Sequence, residues 1–152
     1  MFANIVVPID GSSPSDAAVA LAVKVASAPD ASITIAHVID PAKLAAVAAP
    51  SSIDPNIAID AARQAGTEVL ARAQEAAKAG NHKVTTTLIE GDPVSAVLEL
   101  ATNIGADLII VGSHGRGGLS RALLGSVAEG ILRKSSIPVL VTHAPRAEPT
   151  QR

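Results

Sequence analysis

The residues that most invite chemistry lie in one segment, Gly112-Ser113-His114-Gly115-Arg116-Gly117-Gly118-Leu119-Ser120-Arg121-Ala122-Leu123-Leu124-Gly125-Ser126. Glycines let the main chain approach a polyphosphate closely and turn several N–H groups inward, because no Cβ stands in the way and positive φ is accessible. Ser126 opens a helical pattern whose N-terminus adds partial positive charge. Together these features make an anion cradle. Charge agrees with it. Residues 112–134 carry Arg116, Arg121, Arg133 and Lys134 against Glu129, a net +3 in a chain whose total is −2, so the remainder is −5. A small basic region on an otherwise acidic protein suits a phosphate-bearing ligand better than a nucleic-acid track. Near the N-terminus, Pro8-Ile9-Asp10-Gly11-Ser12 ends an apolar run in a second chemically unusual turn.

Each of these residues also has a plainer reading. Ser126-Val127-Ala128-Glu129 has the form of a capping box, and a capping serine and a phosphate-binding serine can be one residue. Asp10 fits a cap on the first helix, Gly117-Gly118 a flexible turn, and Arg116 a solvated surface cation. The four histidines, His37, His82, His114 and His143, form no pair at ligand spacing, which argues against a metal site built from side chains alone. His114 is the one plausible general base. No carboxylate neighbours it in sequence to orient its ring.

Familiar phosphate loops do not match. The Gly-x4-Gly-Lys-Ser/Thr of a P-loop is absent, and the first turn lacks the Gly-x-Gly-x-x-Gly of a dinucleotide fingerprint. A receiver-type phosphoacceptor domain is expected to show paired acids after the first strand and a lysine after the fifth, where this chain has Asp10 alone and then His143.

The elements that must position these turns follow from composition and periodicity. The chain has 152 residues, 48% hydrophobic and 1% aromatic, with thirty alanines and neither Trp, Tyr nor Cys. That is one domain, with a core of Ala, Val, Ile and Leu that suits helices packed closely on an aliphatic sheet. Missing cysteines exclude thiol catalysis and Cys-ligated metals, and missing rings exclude stacking platforms for nucleic acid. No run reaches the roughly 18 apolar residues of a membrane span. The N-terminus shows no basic n-region or cleavage pattern, so the expectation is a cytoplasmic protein.

Ile5–Ile9, Ile33–Ile39, Val84–Ile89, Asp107–Val111 and Pro138–Thr142 read as strands. Helical spacing runs over Ser15–Ala28, over Ile57–Ala79 with a stripe of Ala62, Ala65, Val69, Ala73 and Ala76, after Asp92-Pro93, and over Ser126–Lys134. On the longest helix, Glu68 and Arg72 are spaced to pair. Residues 42–56 show no period and read as a long loop, a linker or a lid. Arg146–Arg152 reads as a polar tail beyond a single domain of residues 1–145. Strands alternating with helices imply a doubly wound α/β fold, a five-stranded parallel sheet with right-handed crossovers and helices on both faces. Winding that reverses between the first and fourth strands gives the order 3-2-1-4-5. It also brings both unusual turns to one crevice at the carboxyl end of the sheet.

With those residues in view, the chain resembles the universal stress protein family. Gly112-x2-Gly115-x9-Gly125-Ser126 is similar to that family's ATP-binding signature without a departure, and Val7-Pro8-Ile9-Asp10-Gly11-Ser12 to its opening strand and turn. The resemblance covers about residues 2–143. It implies that Asp10, with Pro8, Ile9, Gly11 and Ser12, lies near ribose and phosphates, and that backbone at Val38 meets the adenine edge. It further implies that Gly112, Gly115, Arg116, Gly117, Gly125, Ser126 and Val127, beside Val111, wrap ribose and phosphates. ATP, often with Mg²⁺ or Mn²⁺, and a homodimer through Pro138–Thr142 are the implied ligand and partner. The implied role is regulation linked to stress and to the bound nucleotide, with neither nucleic acid nor membrane as partner. Two alternatives stand beside it: a slow ATPase or autophosphorylating protein using His114 or Ser126, and a dimeric scaffold with a vestigial site.

Overall fold

A computed structural model describes residues 1–28, 30–114 and 124–144. In chain order the elements are β1 (Asn4–Pro8), α1 (Ser13–Val25), β2 (Ser32–Ile39), α2 (Pro41–Ala48), α3 (Pro55–Ala77), β3 (Lys83–Glu90), α4 (Pro93–Asn103), β4 (Leu108–Gly112), α5 (Ser126–Lys134) and β5 (Val139–Thr142). Short 3₁₀ turns follow α2 at Ala49–Ser51 and α3 at Lys78–Gly80. The five strands form one sheet in the order β3-β2-β1-β4-β5, and every neighbouring pair is parallel. The winding reverses between β1 and β4, which gives the expected order 3-2-1-4-5.

The period of two along each central strand divides the core. Ile5, Val7, Ile33, Ile35, Leu108 and Ile110 face Ala18 and Ala22 of α1 and Val69, Leu70, Ala73 and Ala77 of α3. Val6, Ile109 and Val111 face Val97 and Ala101 of α4 and Ala128 and Ile131 of α5. The helices contribute mostly alanine and valine, so their axes approach the sheet closely. The branched strand residues supply the volume that aromatic rings supply elsewhere. At the opposite end from the crevice, the Asp107 carboxylate accepts the N–H groups of Ala3 (2.8 Å) and Asn4 (3.0 Å), fastening the start of β1 beside β4.

Two expectations are corrected. Residues 42–56 are not a structureless loop: α2 and a 3₁₀ turn occupy most of them. Asp40-Pro41 starts a helix as well as ending a strand, because the Asp40 side chain accepts from Lys43 N–H at 3.0 Å and Pro41 fills the first helical position. The periodicity was hidden because α2 packs chiefly on α3 and buries a single residue, Ala48. The same Asp-Pro device opens α3 at Asp54-Pro55 and α4 at Asp92-Pro93.

The second correction concerns the buried face of α3, which is Gly66, Val69, Leu70, Ala73 and Ala77, while Ala65 and Ala76 are exposed. Alanine is compatible with either face, so Leu70 and Gly66 set the true stripe. Among the described residues the ion pairs of this helix join Arg63 to Asp60 and to Glu90, and Lys78 to Glu75, rather than Glu68 to Arg72. Arg63 reaches from α3 to the end of β3, and its hydrogen bond holds the Glu90 carboxyl below the usual carboxylate range.

The cap of α4 gives a pH signature. Hydrogen bonds from the Ser95 backbone and side chain, with the Lys134 charge adding to them, hold the Asp92 carboxyl below its ordinary range. A depressed native pKa means that the cap's contribution is complete above the unfolded carboxylate value and is lost as pH falls through the native one. Asn caps as well as Asp but does not titrate. Asp92→Asn is therefore expected to match the wild type in urea denaturation near neutrality and to lose less stability between neutral and acid pH. Parallel profiles for the two proteins would refute this assignment.

Candidate functional site

The crevice is built where β1 and β4 end. Beyond Pro8 the chain continues beside β2 for one residue, with Ile9 N–H donating to the Ala36 carbonyl at 2.8 Å. It then turns sharply. Gly11 takes a φ of +81°, a left-handed conformation that favours glycine. The Asp10 carboxylate accepts from Ser12 N–H at 2.9 Å, and the Ser12 hydroxyl caps α1 by accepting from Ser15 N–H at 3.4 Å. Asp10 therefore shapes the turn, and Ser12 rather than Asp10 is the helix cap. Buried Ser15 completes the arrangement: its hydroxyl donates to the Ser12 carbonyl at 2.9 Å, and Asp10 N–H reaches it at 3.4 Å.

Strand β4 ends against the start of α1. A Cβ placed on Gly112 would lie 2.8 Å from the Pro14 carbonyl carbon and 2.9 Å from Ser15 N, both main-chain atoms of the first turn of α1. Gly112 thus allows strand and helix backbones to touch. The next residue, Ser113, is 1% exposed and fully engaged. Its N–H donates to the Thr142 carbonyl at 2.7 Å, and its carbonyl accepts from Gly125 N–H at 2.6 Å. Its hydroxyl lies 2.9 Å from His114 Nδ1. The His114 carbonyl accepts from the Ser12 hydroxyl at 3.4 Å, and the Thr142 hydroxyl donates to the Pro14 carbonyl at 3.1 Å. Five segments are thereby joined: the turns after β1 and β4, the end of β5, and the starts of α1 and α5.

Helix α5 differs from the other four at its beginning. Helices α1 to α4 are each capped by a side-chain oxygen, of Ser12, Asp40, Asp54 and Asp92. The N-cap of α5 is Gly125, which has no side chain to offer. Ser126 is the first helical residue and is exposed, so Ser126 and Glu129 do not form the capping box that their spacing suggests. One positive helix end therefore opens onto the crevice without a side-chain acceptor at its cap. Val127 on α5 and Val38 on β2 are half-buried against the same cluster as Val111. Helix α5 also borders a shallow groove of about 560 Å³ lined by Ser126, Glu129, Gly130, Arg133 and Lys134.

Of the expected site residues, Pro8, Ile9, Asp10, Gly11, Ser12, Val38, Val111, Gly112, Gly125, Ser126 and Val127 all sit at the carboxyl ends of β1, β2 and β4 or at the start of α5. Gly115, Arg116 and Gly117 lie outside the described residues, as does the 146–152 tail. Sequence reasoning missed Ser15, Ser113 and Thr142. Ser15 carried a usable signal, a Ser three positions after the capping Ser12, whereas Thr142 is recruited from a distant strand with no local signature. Among the described residues no group of three or more His, Asp or Glu is placed to hold a metal ion. No described helix is long and apolar enough to cross a membrane.

The architecture defines a doubly wound α/β protein with a cleft at its switch point, where folds of this class bind ligands. A model of the universal stress protein family matches residues 1–143, and the chain belongs to that family. It is 33% identical over 148 residues to universal stress protein MJ0531 of Methanocaldococcus jannaschii, covering 97% of this chain and 86% of that protein. The solved structure of MJ0577, from the same organism, matches with a TM-score of 0.83 and 26% identity over 97% of this chain and 99% of that one. A universal stress protein solved in complex with cAMP matches with a TM-score of 0.68 and 31% identity, covering 95% and 98%.

Contact between two backbones at Gly112 leaves no flexible side chain to yield. Gly112→Ala is expected to destabilise the fold by about 1–3 kcal/mol, the usual cost of overpacking. The amides of Ser113 and Pro14's neighbour Ser15 should shift most in the ¹⁵N–¹H spectrum. Wild-type stability and an unperturbed spectrum would refute the close backbone contact at Gly112.

Proposed function

We propose that this protein binds ATP in the crevice between the turns after β1 and β4, and that the bound nucleotide regulates which surface it presents to partners. The observation that carries this reading is the joining of those two turns through Ser12 and His114 beside a helix whose cap position holds no side chain. Phosphate oxygens are suited to the acceptor role that the missing cap leaves to a ligand. Asp10, Gly11 and Ser12 would border ribose and phosphates on one side. Gly112, Gly115, Arg116, Gly117, Gly125, Ser126 and Val127 would wrap them on the other. Val38 backbone would meet the adenine edge, with Pro8, Ile9 and Val111 as the aliphatic floor. A divalent cation would be held mainly through the phosphates. The relative bound to cAMP supports an adenine nucleotide as the ligand class.

Regulation follows if ATP binds one arrangement of the glycine segment more tightly than others. β5 is an edge strand whose residues Val139, Leu140 and Val141 are half-buried, and we place a second copy of the chain against it. Among the described residues β5 ends the sheet, and this edge, with aliphatic residues and no charge, is what a partner strand would cover. Sedimentation velocity should then show a dimer, and Leu140→Lys should shift it toward monomer; a monomeric wild type would rule this pairing out.

Ser126→Asp tests the nucleotide reading without weakening the helix, since an acid in the first turn favours the macrodipole while repelling phosphate. ATP affinity by calorimetry is expected to fall at least about tenfold, or roughly 1.4 kcal/mol, with unchanged or higher thermal stability. Unchanged affinity would sink the proposed phosphate position. A chain with one Phe and neither Trp nor Tyr absorbs little near 260 nm, so ATP retained through purification would be visible directly in its spectrum.

A further inference from the structure

The β1–β2 ladder ends with the pair Pro8 and Ala36, and a side chain takes over where it stops. Ile9 N–H still donates to Ala36, but the Ile9 carbonyl is met by His37 Nδ1 at 2.8 Å. A carbonyl only accepts, so Nδ1 carries the proton in this contact. In a continued parallel ladder that carbonyl would receive the N–H of Val38. Alternation along β2 makes this explicit. Ala36 bonds toward β1, whereas Ile39 bonds toward β3 through Gly91 N–H, so the N–H and C=O of Val38 face the β1 side. A bond from Val38 N–H to Ile9 is not among the backbone hydrogen bonds of the described residues.

The imidazole also has a place made for it. Gly66 is buried in the middle of the 23-residue helix α3, where glycine costs about 1 kcal/mol relative to alanine in helix propensity. A Cβ there would lie 2.6 Å from His37 Cδ2 and 2.8 Å from Leu88 Cδ1. The helix gives up propensity at the position that faces the ring.

We propose that His37 is a positioning residue. Its imidazole substitutes for Val38 N–H at the Ile9 carbonyl, holding the Asp10 turn in place and turning the Val38 backbone edge toward the crevice, where it can read the hydrogen-bonding edge of a purine. The purine part rests on the nucleotide reading above. The substitution at the Ile9 carbonyl does not. Without the imidazole donor, Val38 N–H pairs with Ile9 and the ladder extends by one step, closing the edge that a base would use.

His37→Leu fills similar space without a donor, and His37→Asn places an amide N–H the same number of bonds from the backbone as Nδ1. Both are compared with the wild type by Mg–ATP calorimetry and by amide hydrogen exchange. In the Leu variant the ATP Kd is expected to rise about five- to tenfold, the scale of one lost hydrogen bond, and in the Asn variant to stay within about twofold. Val38 amide exchange should slow in the Leu variant and that of Asp10 and Gly11 should quicken, with β3 amides unchanged. Wild-type Kd and exchange in the Leu variant would overturn the proposal, as would equal impairment of the Leu and Asn variants, which marks packing alone. If the wild type binds no ATP, the nucleotide reading fails and the Val38 exchange comparison still decides the positioning role. Should the Leu variant not fold, Gly66→Ala displaces the ring while keeping it. The same slowing at Val38 is expected there, and wild-type exchange refutes the proposal.

Discussion

The close approach of β4 to the first turn of α1 is the contact on which the rest of the molecule depends. Gly112 meets the main chain of Pro14 and Ser15, so the last residue of a central strand and the start of a helix on one face share space without an intervening side chain. Everything at the crevice refers back to that meeting. Ser12 can reach His114 because α1 begins there. Thr142 can reach Pro14 because β5 ends level with it. Ser113, the residue after Gly112, is buried and tied to Thr142 and Gly125 through its main chain. A cleft at a switch point needs two turns to diverge, and here the contact that brings them together also fixes how far apart they begin.

Below that meeting the fold is an exercise in small residues. Helices faced with alanine lie close on strands of isoleucine and valine, and with Phe2 the single aromatic ring there are few ways to pack except in register with the pleat. Helix starts are specified by chemistry rather than by hydrophobic pattern: three Asp-Pro pairs and one Ser cap set four of the five. The fifth start, at Gly125, departs from this habit, and it lies beside the cleft. Local rules broken at a single place, and there beside convergent turns, are what a ligand-directed site looks like in a protein whose other ends are satisfied internally.

Most of the architecture was legible because its signals are local. Strand runs, alternation with helices and the two unusual turns led to the sheet order and to the cleft. The residues that escaped did so for identifiable reasons. α2 buries too little to display a period, so its start had to be read from Asp40-Pro41, a signal that also ends a strand. The face of α3 was misplaced because alanines occupy both sides of it, and the glycine that marks the true face, Gly66, is explained by His37 and Leu88, which come from other elements. Ser126 looked like a cap because the spacing to Glu129 was right, while the helix begins one residue earlier than that spacing requires. Thr142 and Ser113 act through backbone groups brought together by the fold, which no pattern of side-chain types encodes.

The clamp of Asp107 on Ala3 and Asn4 spans 104 and 103 positions of chain, and the seam between β1 and β4 that it fastens is the longest-range strand junction in the sheet. Strands β1, β2 and β3 follow one another in sequence and neighbour one another in space, so their pairing closes comparatively short loops. Joining β4 to β1 closes the longest loop and carries the greatest entropic cost of any strand pairing here. The cleft lies on that seam. A ligand held by both of its banks would add a fastening to that seam, opposite the carboxylate clamp. Occupancy of the cleft would in this way be coupled to the cohesion of the two halves of the sheet.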